Sequence, residues 1–443
     1  MESEVDKQYL KEIAHKIIQQ TIKDYTNSHG LLISLGNSLT GEIIQSTPII
    51  EDLGDYLPFL LYFGYNEFSK RQVSLAINKL DGNCLYSDPR HPRSKFIVDG
   101  YGNTDLILGF LEYYKQTGDK SVLNIIESSI ESWYKLLTKD GFTYMGYIKK
   151  IHLPIPLIST KHGGMYGEIL VDLFEISKNQ KYIDMANNIM KKWITIPFFK
   201  RNGLFPNLYL YPFTTNILKV IPRIRRGSKQ VRFFKENTNL VFSLLALYRI
   251  TKENRFKKAI YYWIDNVKRK LARPDGGVYT QWSPNDKATD INLFNFQLIE
   301  ILCDASCIFN DSSLLSFSTR VADFWLKHQS ARAGLFPNKI NSNNHYDYLD
   351  CETDMAIALL KLSELTNKEK YRISSQECFQ GILKYHMKPK GLALVVDYRN
   401  GTLIEPICKI KFNMLFLKLI IAFLNNDKKI YSTEWLFKLL RDR

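Results

Sequence analysis

The sequence predicts an all-α chain folded as one α/α toroid, a barrel of six to seven helical hairpins with short extended segments in the loops on one face. Three observations carry this: a polar-then-apolar helical unit that recurs, a second amphipathic helix between its copies, and a glycine-led extended scrap after each amphipathic helix. The composition agrees. In 443 residues, 45% are hydrophobic and 13% aromatic, enough to bury a core and to exclude disorder for the chain as a whole.

The first unit is a polar cluster, an apolar helical run and a short polar turn. Its clearest copies begin at Asn103-Thr104-Asp105, Asn237-Thr238-Asn239, Ala288-Thr289-Asp290 and Glu352-Thr353-Asp354. Asp105 to Thr117, Asn239 to Thr251 and Asp354 to Thr366 are each 12 residues apart. The same count back from Ser177 and Asn425 marks Met165 and Asn413, and an earlier copy runs from Asp52 to Gly64. These apolar runs belong inside the ring.

The second unit appears in SVLNIIESSIESWYKLL, KYIDMANNIMKKWI, RFKKAIYYWIDNVKRKL and KYRISSQECFQGILKYH, where apolar residues fall at i, i+3, i+4 and i+7. That pattern is an amphipathic helix wrapping the outside. A glycine and an extended scrap follow each one, as in Gly141-Phe-Thr-Tyr, Gly203-Leu-Phe-Pro-Asn, Gly277-Val-Tyr-Thr and Gly334-Leu-Phe-Pro-Asn. The whole unit occurs seven times at intervals near 60 residues with no charged linker, so residues 1–443 read as a single domain despite a prior of about 150 residues per domain. Long loops follow the outer helices and short turns follow the inner ones. One face of the ring therefore holds the variable material, where binding and catalysis are expected.

Every inner helix starts at that face, so backbone N–H groups and positive dipole ends converge on one mouth suited to an anionic or oxygen-rich ligand. Asp52, Asp105, Met165, Asn239, Asp290, Asp354 and Asn413 align there. Each polar member could be an N-cap; together they could ring a cavity. Two loops are richer than capping requires: residues 86–105, with Arg90, His91, Asp99, Tyr101, Asn103 and Asp105, and residues 341–354, with His345, Tyr348, Glu352 and Asp354. Carboxylates from different hairpins suit general acid/base hydrolysis, with Asp105 and Asp354 first and Glu352 beside them. A Tyr with a His could instead abstract a proton alpha to a uronate carboxylate, giving a lyase or an epimerase, and His162, Tyr101, Glu352 and Arg90 would bind or polarise the substrate. Tyr166 and Glu168 follow His162 in HGGMYGE, whose glycines would admit a ligand to the backbone. Trp282 could stack on a sugar ring.

Two insertions, 147–160 and 208–235, enlarge the same face. Residues 216–235 carry seven basic residues and no acidic one, interleaved with Ile, Leu, Val and Phe, within a chain of net charge +15. Such a lip fits peripheral contact with anionic lipid or a polyanionic chain, or is a solvated loop. No base-reading motif accompanies it, so no specific nucleic acid is expected. Six cysteines without a CxxC pair, and an N-terminus without a signal-peptide core, give the expectation of a cytoplasmic, thiol-reduced protein with no metal and no cofactor. The longest apolar run, Phe412 to Leu424, contains Lys418 and is too short to span a bilayer.

The hairpin repeat, with aromatic residues and Asp or Asn at inner-helix starts, resembles the α/α-toroid carbohydrate-active proteins of the six-hairpin glycosidase type across essentially the whole chain. Within it, NTDLILGFLEYYKQTGDKSVL is similar to the repeat of the C-terminal domain of D-glucuronyl C5-epimerases and related uronate-processing enzymes. The resemblance implies an acidic, uronate-containing or lipid-linked glycan handled at the mouth by hydrolase, lyase or epimerase chemistry. A noncatalytic toroid that binds a glycan or a membrane surface is the alternative. HGGMYG is also similar to the HGxxG element of lanthionine synthetase cyclases, but the sequence has no Cys-His pair to hold their zinc.

Overall fold

The computed structural model describes residues 6–48, 50–87, 97–151, 153–155, 157–210, 231–232 and 237–425. Among these residues the chain forms fifteen α-helices. The outer ones are α1 (Lys7–Tyr25), α3 (Asn66–Ile77), α5 (Lys120–Leu137), α7 (Gln180–Thr195), α10 (Asn254–Lys270), α12 (Ser313–Leu326) and α14 (Glu369–Gly381). The inner ones are α2 (Leu53–Tyr62), α4 (Gly100–Thr117), α6 (Thr160–Ser177), α9 (Thr238–Thr251), α11 (Phe296–Phe309), α13 (Leu349–Thr366) and α15 (Ile410–Leu424). A short helix, α8 (Pro197–Asn202), follows α7.

Each inner helix packs on the next, and α15 packs on α2, so the seven inner helices close into a ring. The first outer helix, α1, packs on α15 and joins the two ends of the described chain. The aliphatic and aromatic surface of α2, α9, α11 and α15 is buried almost all round, while α5, α7 and α10 bury one stripe each. This is the division expected of helices with two packing layers and helices with one.

The short turns at the floor of the ring are written locally. Inner helices end on residues in the left-handed region: Gly64, Gly118, Lys178, Lys252, Asn310 and Asn367 all have positive φ. Such a residue closes the last turn and reverses the chain. The outer helix that follows is then capped, as where Asp119 accepts the Ser121 N–H at 3.0 Å and Asn179 accepts the Lys181 N–H at 3.2 Å.

The long loops on the other face are joined to one another by short antiparallel strands. Ile97–Asp99, before α4, pairs with Gly146–Ile148, before α6; Leu157–Ser159, before α6, pairs with Leu208–Leu210, before α9. Val231–Arg232 pairs with Gln281–Ser283, Tyr346–Tyr348 with Val395–Asp397, and Ile33–Asn37 with Ile407–Lys409. Each pairing links the loop of one inner helix to that of its neighbour, so the rim is stitched around the mouth. The extended scraps and both insertions contribute strands to it.

A second device holds each scrap beneath the rim. Asn103 accepts the Tyr86 N–H at 2.7 Å and donates to the Tyr86 carbonyl at 2.9 Å. Asn237 does the same to Phe205, at 2.7 and 2.9 Å. Asn295 donates to the Val278 carbonyl at 3.1 Å, and Asn413 accepts the Leu392 N–H at 3.2 Å. An amide carries both a donor and an acceptor, so it can replace a missing strand partner for one peptide group. Buried outer-helix side chains reach the same clamps: Trp263 Nε1 and Trp325 Nε1 lie 3.3 Å from the Asn237 and Asn295 side-chain oxygens. The clamp thus ties scrap, inner helix and outer helix at one point.

Candidate functional site

The clamps separate the aligned polar residues into two kinds. Asn103 and Asn413, expected at a substrate, are about 1% exposed or less and turned onto backbone. Glu352, expected to act as an acid or base, is also fully buried. It accepts the Phe336 N–H at 3.2 and 3.1 Å and the Cys378 thiol at 2.8 Å, the same clamp with a carboxyl in place of the amide. Burial and the neighbouring Asp347 push its pKa well above the ordinary range. These three residues are corrected to structural roles. Tyr166 is corrected likewise, because it is fully buried and stacked on Trp133.

The glycines of HGGMYGE serve packing rather than ligand approach. A Cβ on Gly164 would strike the Asn239 and Leu240 backbone, and one on Gly163 would strike the Trp193 indole. Gly164 lets α6 and α9 come together, and Gly163 makes room for Trp193 of α7. Asp290 also leaves the inner-helix start expected for it: it sits in a loop at φ +58° and pairs with Lys339 at 2.5 Å. Its helix begins six residues later, after a 3-10 turn at Leu293–Asn295, and Asn295 fills the clamp position.

Residues two places beyond the clamp behave differently. Asp105 and Asp354 are each the sixth residue of their helix, α4 and α13, too far in to cap it. Inner-helix starts with a described N-cap have no side-chain capping bond, at Asp52, Asn237, Asn295, Tyr348 and Lys409. Capping therefore does not account for the polar ring. Asp105, Asn239, Gln297 and Asp354 occupy this level, and Asp105 and Asn239 are half-buried. In the ring order, α4 and α13 are separated by α15 and α2, which sets Asp105 and Asp354 on opposing sides of the mouth.

Below this level lies a charged axis that the sequence reading did not single out. Lys418 of α15 donates to Asp354 at 3.1 Å. Glu300 of α11 feels both Lys418 and Asp354. Glu300 and Lys418 sit on the two helices that flank α13, which carries Asp354. Burial pushes the Glu300 pKa up to about 7, with Lys361 and Lys418 opposing the shift. Deeper still, Lys361 pairs with Asp304 at 2.5 Å, Lys115 with Asp172 at 3.1 Å and with Glu112, and Arg249 with Glu175 at 2.9 Å. At the α2 edge, Lys411 bridges Asp52 at 3.4 Å and Asp55 at 3.1 Å.

Exposure falls along this axis. The Asp354 side chain is 31% exposed, Lys418 14% and Lys361 1%. From Asp354 to Lys361 the layers grade from wet to dry, whereas Arg249 and Glu175 below them are again 32% and 24% exposed. A buried pair of this kind gives little net stability, but removing one partner strands the other. The floor is closed by charge, and the upper carboxylates face solvent.

The remaining expected residues fall around the rim. Glu168 is half-buried on α6. Trp282 lies on the Gln281–Ser283 strand, with Lys270 Nζ 4.6 Å from its ring centre. Tyr348 and His345 flank the strand that leads into α13, and the buried Asp347 between them reaches His386 Nε2 at 2.7 Å. Arg90 and His91, the side chains of Asp99, Tyr101 and His162, and all of 216–235 except Val231 and Arg232 lie outside the described residues. Among the described residues no group of three His, Cys, Asp or Glu is placed to hold a metal ion.

No protein-family profile and no curated sequence matches this chain. Solved structures do. The α-1,2-mannosidase from Trichoderma reesei is similar at a TM-score of 0.68 and 8% identity, over 94% of this chain and 93% of that one. Cellobiose 2-epimerase from Bacillus thermoamylovorans is similar at a TM-score of 0.57 and 11% identity, over 93% and 99%. Unsaturated glucuronyl hydrolase from Bacillus sp. GL1 is similar at 0.52 and 12%, over 84% and 94%. At these identities the likeness is one of fold. The chain is an α/α toroid, and that fold is what it shares with these structures.

Proposed function

We propose that this protein is a carbohydrate-active enzyme that works at the toroid mouth on an acidic, uronate-containing or lipid-linked glycan. The observation that carries the reading is the level of Asp105, Asn239, Gln297 and Asp354, which lies too far along the helices for capping and stands above a layer of buried charge. Solved structures of this fold that process sugars by hydrolysis, epimerisation or isomerisation support it.

Acid/base chemistry needs groups that hold protons differently at one pH. Asp354 accepts from the Lys418 ammonium, and the buried Glu300 beneath it holds its proton to about 7. Asp105 faces them from the far side of the mouth. Asp105 and Asp354 are assigned the acid/base roles, with Asn239, Glu168 and the rim residues Trp282, His345 and Tyr348 binding sugar. His162 and Tyr101 are the proton-abstracting pair if the reaction is elimination or C5 inversion. Uncapped inner-helix starts favour an anionic group on the substrate.

The test is a product screen on uronate-containing oligosaccharides that reads new reducing ends, unsaturation absorbance and C5 inversion together. New reducing ends alone identify hydrolysis; absorbance identifies a lyase; inversion without cleavage identifies an epimerase. Binding without any product, seen by calorimetry, would overturn the enzyme reading in favour of a noncatalytic glycan-binding toroid.

A further inference from the structure

Large apolar side chains that stay exposed are not spread evenly over the described surface. Eight exceed the ordinary exposure of such residues, and five of them lie on two hairpins of the loop face: Leu39, Ile43 and Ile44 on one, Ile151 and Leu153 on the other. Ile151 is 64% exposed, Leu153 54% and Ile44 52%. The other three, Tyr9, Tyr262 and Ile373, sit singly on the outer helices α1, α10 and α14.

The two hairpins rise from neighbouring sectors of one rim. The first, within 33–48, leads into α2. The second, within 146–154, pairs with Ile97–Asp99, which leads into α4, and α2 and α4 are packed together. Lys149 and Lys150 form the turn beside Ile151, and Lys150 is exposed. Aliphatic residues at exposed hairpin tips are costly in water and are normally replaced by polar ones. Here they stand next to lysines, in a chain of net charge +15. A second copy of the chain would bring the same positive charge and be repelled, whereas an anionic bilayer is attracted to it.

We propose that these hairpins are a membrane-docking rim. Leu39, Ile43, Ile44, Ile151 and Leu153 enter the headgroup region of an anionic bilayer, and Lys149 and Lys150 meet lipid phosphates. None of the described helices is long and apolar enough to cross a membrane, so the contact is peripheral. Docking in this way turns the mouth toward the lipid surface. The inference does not rest on the catalytic reading, since it concerns binding alone.

The test is flotation of the full chain with vesicles of phosphatidylcholine alone and of an equimolar phosphatidylglycerol mixture. The wild-type protein is expected to float with the anionic vesicles and not with the neutral ones, and to be released by high salt. Ile151→Asp with Leu153→Asp should reduce partitioning by roughly tenfold or more, as expected from losing two inserted aliphatic side chains. Lys149→Glu with Lys150→Glu should reduce it on anionic vesicles only. Ile373→Asp, on the outer wall, should leave it unchanged. Apart from the half-buried Lys149, all three sets alter exposed side chains, and far-UV circular dichroism confirms that each variant is folded. Failure of the wild type to float would overturn the proposal, as would equal flotation of the Ile151/Leu153 variant. So would a change in that variant's oligomeric state by sedimentation with flotation retained, which would make the hairpins a contact between copies. Because no turnover is read, failure here leaves the enzyme reading standing, and a silent product screen leaves the docking result standing.

Discussion

The two ends of the inner helices are built by different means. At the floor, each helix stops on a left-handed residue and hands over to a short turn; where Asp119 and Asn179 cap the next helix, the structure is decided by a few consecutive residues. At the mouth, long-range contacts decide it: strand pairings between neighbouring loops, amides clamped onto distant peptide groups, and charges paired between helices. The floor can be read from a window of sequence; the mouth requires the ring to close first. Local structure fixes the scaffold, and tertiary structure fixes the chemistry.

The largest effect expected from breaking this contrast is at the dry layer. Lys361→Met would leave Asp304 buried without its partner and cost about 3–5 kcal/mol of stability, measured by denaturant unfolding. Adding Asp304→Leu should return most of that loss, since an apolar pair of similar volume replaces a buried ion pair at little cost.

The clamps come next. Asn237→Ala would leave the Phe205 peptide group without either hydrogen bond and lower stability by about 1–3 kcal/mol. Glu352→Gln should be far milder, because Glu352 already works as a neutral group in the fold.

A buried carboxyl on the axis gives a pH signature. The Glu300 carboxyl holds its proton to about 7 in the folded protein, against about 4.3 for an unperturbed glutamate in the unfolded chain. The folded state therefore binds more protons between those values, so stability falls as pH rises through that window and levels off above it. Glu300→Gln should remove this slope, as followed by thermal unfolding across the window; an unchanged slope would place the titration elsewhere.

This division also explains what was legible in the sequence. The inner helices, the outer amphipathic helices and the face that carries the long loops follow from periodicity and from where glycine and short polar turns fall. The clamp was half visible: Asn103, Asn237 and Glu352 all stood out, but a residue that holds a peptide group and one that faces substrate look alike when both precede an apolar run. Register failed where the chain departs from the repeat. A 3-10 turn displaces the start of α11, so Asp290 was aligned where Asn295 belongs, and Asn413 answers to Asn103 rather than to Asp105. The axis was missed for another reason. Lys361, Asp304, Glu300 and Lys418 lie deep within apolar runs on three different helices, where nothing in the local sequence pairs one with another, and only ring closure brings Lys361 to Asp304.

The most direct test of the account compares Asp105→Asn and Asp354→Asn, each assayed for turnover of the substrate found in the product screen and for unfolding free energy. If the mouth carboxylates perform the chemistry while clamps and floor hold the fold, each variant loses activity by about 10²-fold or more and keeps its stability to within about 1 kcal/mol. Retained turnover together with a stability loss of several kcal/mol would show that these aspartates belong to the scaffold, and the account of the mouth would be wrong.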